Sequence, residues 1–192
     1  MSDELAAISW PISTERLTLR RVRVGDAALV WPWRRLPESY AWVTHAATSR
    51  EAFAERFESP EGLRSRLVID LEGRIVGDLM VRIGDAWGQT EVRDRAARTE
   101  AELGWSLDPA YGGRGIATEA VAAVIDRCFT DLGLRRVTAA CFAANEPSWR
   151  LMERLGMRRE QHGVRDSLHR SGDWMDGLTY ALLASEWPVS QP

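Results

Sequence analysis

Residues 102–121 read "ELGWSLDPAYGGRGIATEAV", and a change of period inside them decides the fold. Ala101, Leu103, Trp105 and Leu107 alternate, which predicts a strand over 100–108 with one apolar face. Pro109 ends it. Three glycines and an arginine follow. Beyond them Ala117, Ala120, Val121, Val124, Cys128 and Phe129 recur at helical intervals, predicting a helix from Gly115 to Leu132 that stops at Gly133. A helix start leaves N–H groups unpaired, and its dipole favours an anion there. Glycines let a phosphate approach those groups with no Cβ in the way. Arg114 adds a charge-assisted donor. A plain strand-to-helix turn is the alternative reading.

Two phosphate-binding patterns fit poorly. A P-loop needs GxxxxGK[ST], but all 25 basic residues are Arg and the chain has no Lys. The dinucleotide fingerprint needs GxGxxG, and Thr118 stands where "GGRGIAT" would need its third glycine.

Working outward, "RLTLRRV" (16–22) alternates as a strand, and Asp26 is placed to cap a helix over "AALVWPWRRL", short or kinked at Pro32. "PESYAWVTHAAT" (37–48) reads as a loop. "SREAFAERFESPEG" (49–62) reads as one helix, capped by Ser49 and ended at Pro60–Gly62. "RLVID" and "RIVGDLMVRI" are strands joined by a tight hairpin at Gly73. Residues 84–98 read as a long polar loop. "RRVTAACF" is a strand, "NEPSWRLMERLG" a helix starting at Asn145 and ending at Gly156, and two closing strands follow. The tail "VSQP" (189–192) reads as frayed. Short turns at the front imply antiparallel pairing, and the strand–helix–strand unit implies one parallel pair. The expected fold is α/β of the mixed α+β kind. It has a mostly antiparallel central sheet, one splayed parallel pair, helices on both faces, and a single domain over 1–192.

The 192 residues suffice for one compact core, and a net charge of −3 argues against a nucleic-acid or anionic-membrane partner. "MSDELAAISW" does not read as a signal peptide, and no apolar run has membrane-spanning length. Cys128 and Cys141 lack CxxC spacing and read as buried free thiols, which suits a cytoplasmic protein. The three histidines, His45, His162 and His169, share no ligand spacing, so no metal is expected.

The 102–121 stretch resembles the central motif of the GNAT superfamily of acyl-CoA-dependent N-acetyltransferases, Q/R-x-x-G-x-G/A, whose loop holds the pyrophosphate of coenzyme A. Gly115 and Ala117 match its last two positions. Gly112 stands at the Q/R position, which removes one side chain and leaves the backbone cradle. "NEPSWRLMERLGMRRE" (145–160) resembles the next family motif. "GDWMDGLTYALLASEW" (172–187) resembles the branch acting on ribosomal-protein N-termini (alanine or serine), with its relatives that act on other amines. The likeness runs from about 14 to 187.

The resemblance implies acetyl-CoA as co-substrate. It places the phosphates on N–H groups of Gly112, Gly113, Arg114, Gly115, Ile116 and Ala117. Backbone near Trp105 and Leu107 would pair with the pantetheine arm, where the strand splays from "RRVTAACF". Asn145 would bond the pantetheine amide, or act as a plain N-cap. Glu102 is the candidate base, directly or through water, with Glu100 in reserve; an exposed acid paired to an Arg is the other reading. Where many relatives carry a Tyr acid, this chain has Met152, which has no proton to give. Ser148, one turn earlier, takes the sulfur-facing role, or is an N3 capping residue. In "VWPWRRLPESYAWVTH" (30–45), Trp31 and Trp33 read as core. Tyr40 and Trp42 read as the lining for an amine acceptor, a peptide N-terminus or a small molecule. Homodimers occur in the family, though no residue here requires one. Two other classes stay open: an acyl-CoA-binding sensor or structural subunit without turnover, and a nucleotide-binding module.

Overall fold

The computed structural model describes residues 5–188, so the tail expected to fray lies outside the described residues. Strands are β1 (Ile12–Ser13), β2 (Thr18–Arg21), β3 (Arg66–Leu71), β4 (Arg74–Gly84), β5 (Glu100–Leu107), β6 (Arg136–Phe142), β7 (Arg158–Leu168) and β8 (Trp174–Leu183). Helices are α1 (Asp26–Arg34), α2 (Pro37–Tyr40), α3 (Arg50–Phe57), α4 (Pro60–Ser65), α5 (Ile116–Thr130) and α6 (Glu146–Arg154). The sheet order is β1-β2-β3-β4-β5-β6-β8-β7. It is mostly antiparallel, and the parallel pair is β5 with β6. The expected mixed architecture is therefore the observed one.

Local chemistry explains where the elements fall. The β3–β4 hairpin turns on Glu72 and Gly73, both at positive φ (54° and 84°), with Leu71 opposite Arg74. That is the twist a two-residue turn needs. The single helix expected over 49–62 is instead two. Ser49 Oγ accepts from Ala52 N at 3.1 Å to open α3, and Ser59 Oγ accepts from Gly62 N at 3.0 Å to open α4. Pro60 occupies the first turn of α4, so it starts a helix rather than ending one. Asp26 does not cap α1, whose N-cap is Gly25. Its carboxylate accepts from the Arg20 guanidinium at 2.7 and 2.8 Å and from Arg23 N at 2.7 Å. Residues 37–48 are not wholly loop, since α2 occupies the first four. Within 84–98, Thr90–Ala96 forms a 3-10 turn.

The described residues form two compact units: 5–80 with Trp105–Ala123, and Val81–Gly104 with 124–188. In the first, Val22, Val30, Trp33, Phe53, Phe57, Val68 and Ile75 form a buried cluster, with Trp31 packed against it. Of the two tryptophans assigned to core, Trp33 is buried in it and Trp31 is partly buried. In the second, Val137, Leu151, Met152, Leu178, Tyr180 and Leu182 are buried. Tyr180 donates its hydroxyl proton to Glu153 at 2.9 Å, and burial, then that carboxylate, pushes its pKa up to about 12. Cys128 is buried and free, and Cys141 is free but only half-buried.

Candidate active site

In the first unit, the last residues of β5, from Trp105, lead into the glycine loop through Asp108. This buried residue accepts from Ala110 N at 3.0 Å and opens a 3-10 turn over Pro109–Tyr111. Gly113 and Gly115 sit at φ 72° and 76°, the left-handed region that side chains with a Cβ resist. A Cβ at Gly113 would meet nothing within 4 Å, so the loop face there is open. Gly112 differs. It is extended, at φ −61° and ψ 153°, and its N–H donates to Pro109 O at 3.1 Å. Its amide is therefore occupied by the turn. The first helical bond runs from Glu119 N to Gly115 O at 3.0 Å, which leaves the amides of Ile116, Ala117 and Thr118 ahead of it.

The helix start is held from below. Glu119 accepts from Thr14 Oγ1 at 2.5 Å, from Arg16 N at 3.0 Å and from Arg16 Nε at 2.7 Å. Arg16 Nη1 donates to Arg114 O at 3.1 Å. Burial pushes the Glu119 carboxyl up, but the Thr14 and Arg16 hydrogen bonds outweigh it and leave its pKa below the usual carboxylate range. Beside the loop, the guanidinium groups of Arg114 and Arg74 both lie over the Tyr111 ring, 5.2 and 5.6 Å from its centroid. The loop motif pointed to Arg114. Arg74 comes from the hairpin 40 residues earlier, counting Arg74 to Arg114, and nothing in the local sequence marks it.

The parallel ladder is short. It pairs Glu100 with Arg136, Ala101 with Val137 and Glu102 with Thr138, and goes no further. β5 continues to Leu107 and β6 to Phe142. Trp105 and Leu107, the residues expected to pair with pantetheine, lie in the continuation and are half-buried.

The acid–base candidates are less isolated. Glu102 is exposed and ion-paired to Arg82 of β4 at 3.2 Å. Glu100 is bound to Arg135 and to Arg136, the latter at 3.0 Å. In the second unit Asn145 sits at the N-cap of α6, but its side chain makes no capping hydrogen bond. The carbonyl of Asn145 takes the N–H groups of Ser148 and Trp149 at 3.1 and 3.4 Å. The plain side-chain cap is thus absent, and the amide is left for another partner. Ser148 lies half-buried in the first turn of α6, and Met152 is buried at 1% exposure. Tyr40, at the end of α2, and Trp42 are both half-buried.

One polar cluster escaped sequence reasoning. Arg34, at the end of α1, donates through Nη1 to Ser106 Oγ on β5, and its Nε lies 3.7 Å from Asp78 Oδ2 on β4. Among the described residues no group of three or more His, Cys, Asp and Glu is arranged to hold a metal, and no helix is long and apolar enough to cross a membrane.

The acetyltransferase (GNAT) domain model matches residues 16–158, and the chain belongs to that family. The uncharacterized N-acetyltransferase p20 of Bacillus licheniformis is 31% identical over 180 residues, 91% of this chain and 96% of that protein. The [ribosomal protein uS5]-alanine N-acetyltransferase of Escherichia coli K12 is 28% identical over 187 residues, 92% of each. Mycobacterium smegmatis RimJ, solved in complex with CoA-disulfide, superposes with a TM-score of 0.69 at 28% identity, over 90% of this chain and 84% of that one. The chain spans about half the length of two curated Bacillus subtilis relatives, YnaD and YjcK (50% and 49%).

Proposed function

We propose that this protein transfers an acetyl group from acetyl-CoA to a primary amine, on a protein N-terminus or a small molecule, by direct attack in a ternary complex. The observation that carries the reading is the loop at the start of α5. Gly113 and Gly115 are left-handed, no atom fills the space a Cβ would take at Gly113, and the first-turn amides are unclaimed by the helix. A diphosphate suits those amides. The donors are Gly113 to Ala117, with Arg114 adding charge; Gly112 contributes shape rather than its N–H. The part of β5 beyond its ladder with β6, around Trp105 and Leu107, pairs with the pantetheine arm along that edge, and the uncommitted amide of Asn145 bonds it too. Tyr40 and Trp42 line the acceptor.

In this reading the amine nitrogen attacks the thioester carbonyl. A C–N bond forms, the C–S bond breaks, and the thiolate leaves. The amine's proton passes to Glu102, directly or through water, once its exposed pairing with Arg82 loosens. Ser148 hydrogen-bonds the departing sulfur; Met152 has no proton to give. A CoA thiol resembles a free cysteine, at about pKa 8.5, so a weak donor is enough.

The test is thiol release from acetyl-CoA by the purified protein against peptides, amino acids and polyamines, with the acetylated product seen by mass spectrometry. Turnover on at least one amine is expected. Tight acetyl-CoA binding with no turnover on any of them would favour a non-catalytic acyl-CoA sensor.

A further inference from the structure

The polar cluster of Arg34, Arg66 and Asp78 holds more positive than negative charge. Arg34 and Arg66 share one carboxylate: Arg34 Nε lies 3.7 Å from Asp78 Oδ2, and Arg66 Nη1 lies 3.4 Å from Asp78 Oδ1. All three are largely shielded, with side chains 12%, 22% and 3% exposed for Arg34, Arg66 and Asp78. Asp78 Oδ2 has no hydrogen-bond donor. The wider surroundings do not restore balance. Arg56 of α3 and Glu61 of α4 also act on Arg66, so three cations face two anions. Burial, followed by the repulsion of Arg34 and Arg56, holds the Arg66 pKa below its ordinary value despite Asp78.

Arg34 is the member placed to use this excess. It donates to Ser106 Oγ, and Ser106 lies between Trp105 and Leu107, the residues assigned above to the pantetheine arm. It also ends α1, six residues before Tyr40. A guanidinium presents a planar fork that matches a carboxylate. We propose that Arg34 reads a carboxylate on the acceptor, so that the substrates are amines bearing a nearby acid group, as in an α-amino acid, rather than simple amines or polyamines. This rests on the acetyl-transfer reading above. The same charge that draws a carboxylate repels a polycation.

The experiment is calorimetric titration of the CoA-saturated protein with free amino acids and with their α-amides, using phenylalanine, alanine and glutamate as matched pairs. The wild type needs no variant for the first comparison: at least one acid binds about tenfold or more tightly than its amide, the scale of a charge-assisted hydrogen bond. Arg34→Met leaves Arg66 and Asp78 one to one, so it is expected to fold, with urea denaturation as the check. It brings acid and amide together, while Arg34→Lys keeps part of the preference. Equal binding of acids and amides by the wild type, no binding of any acid, or an undiminished preference in Arg34→Met overturns the proposal. Thiol release is followed in parallel. Acid preference without thiol release from acetyl-CoA sinks the acetyl-transfer reading and leaves the carboxylate site standing.

Discussion

Replacing Gly115 with Val separates the shape of the glycine loop from everything around it. Gly115 is at φ 76°, and a Cβ there would meet Arg16 Nη2 at 3.5 Å, an ordinary contact. No clash opposes the substitution, so its cost is conformational. A left-handed residue with a Cβ costs about 1–2 kcal/mol, and a β-branched one sits at the upper end. Two responses are open to the chain. If the loop keeps its shape, stability falls by about that amount and CoA still binds. If φ relaxes to negative values, the first-turn amides turn away from a common point. Hydrogen bonds to a charged group are worth about 1.5–3 kcal/mol each. Losing one or two of them weakens CoA by roughly tenfold to somewhat over 10⁴-fold, at 1.4 kcal/mol per factor of ten. The second response is expected, because α5 is anchored at Glu119, which Arg16 Nη2 meets at 2.6 Å, so the strain is released in the loop rather than in the helix. Calorimetry with CoA gives the affinity, and a thermal melt reports folding. Pantetheine, which lacks the diphosphate, serves as control and should bind wild type and variant alike. A folded Gly115→Val protein that binds CoA as tightly as the wild type and melts at the same temperature would show neither response and would refute the role given to the left-handed loop.

Ser148→Ala should leave the KM for acetyl-CoA unchanged and lower kcat, since the hydroxyl is assigned only to the departing sulfur; a matching loss in both would mean it binds rather than assists. Glu102→Gln should lower kcat by about 10²–10⁴ if the carboxylate is the base. The same change should alter stability by less than about 1 kcal/mol, because the Arg82 pair is exposed; unchanged turnover would assign the proton to another route. Acid titration of stability should feel Glu119. Its folded pKa lies below the unfolded one, so the stabilisation is complete above the ordinary carboxylate pKa and disappears as pH falls through the lower folded value. Glu119→Gln should flatten the urea-midpoint curve in that acid window and nowhere else.

Features governed by backbone conformation were the easiest to read from sequence. Gly113 and Gly115 announce themselves because a left-handed position excludes most other residues, and Gly73 marks its hairpin for the same reason. The periodicity of β5 and α5 placed the strand, the loop and the helix in order. Proline was more ambiguous. Pro60 served equally as a stop or as a first-turn residue, and Ser59 just before it was the available sign that a second helix begins. Asp26 had the residue type and position of a cap, but Arg20 and Arg23 drew its carboxylate into a tertiary network. Site features that depend on register or distant pairing stayed hidden. The Glu102 partner is 20 residues away on the neighbouring strand, and Ser106 is 72 residues from Arg34. No local pattern joins such positions. The occupied N–H of Gly112 was likewise invisible, since it depends on the turn that Pro109 and Asp108 build.

A crystal structure with acetyl-CoA bound tests the central claim most directly. The expected result is a diphosphate within hydrogen-bond distance of amides between Gly113 and Ala117, with the pantetheine arm paired to β5 around Trp105 and Leu107. Density for the ligand elsewhere, or a diphosphate held only by side chains while those amides face solvent, would contradict it.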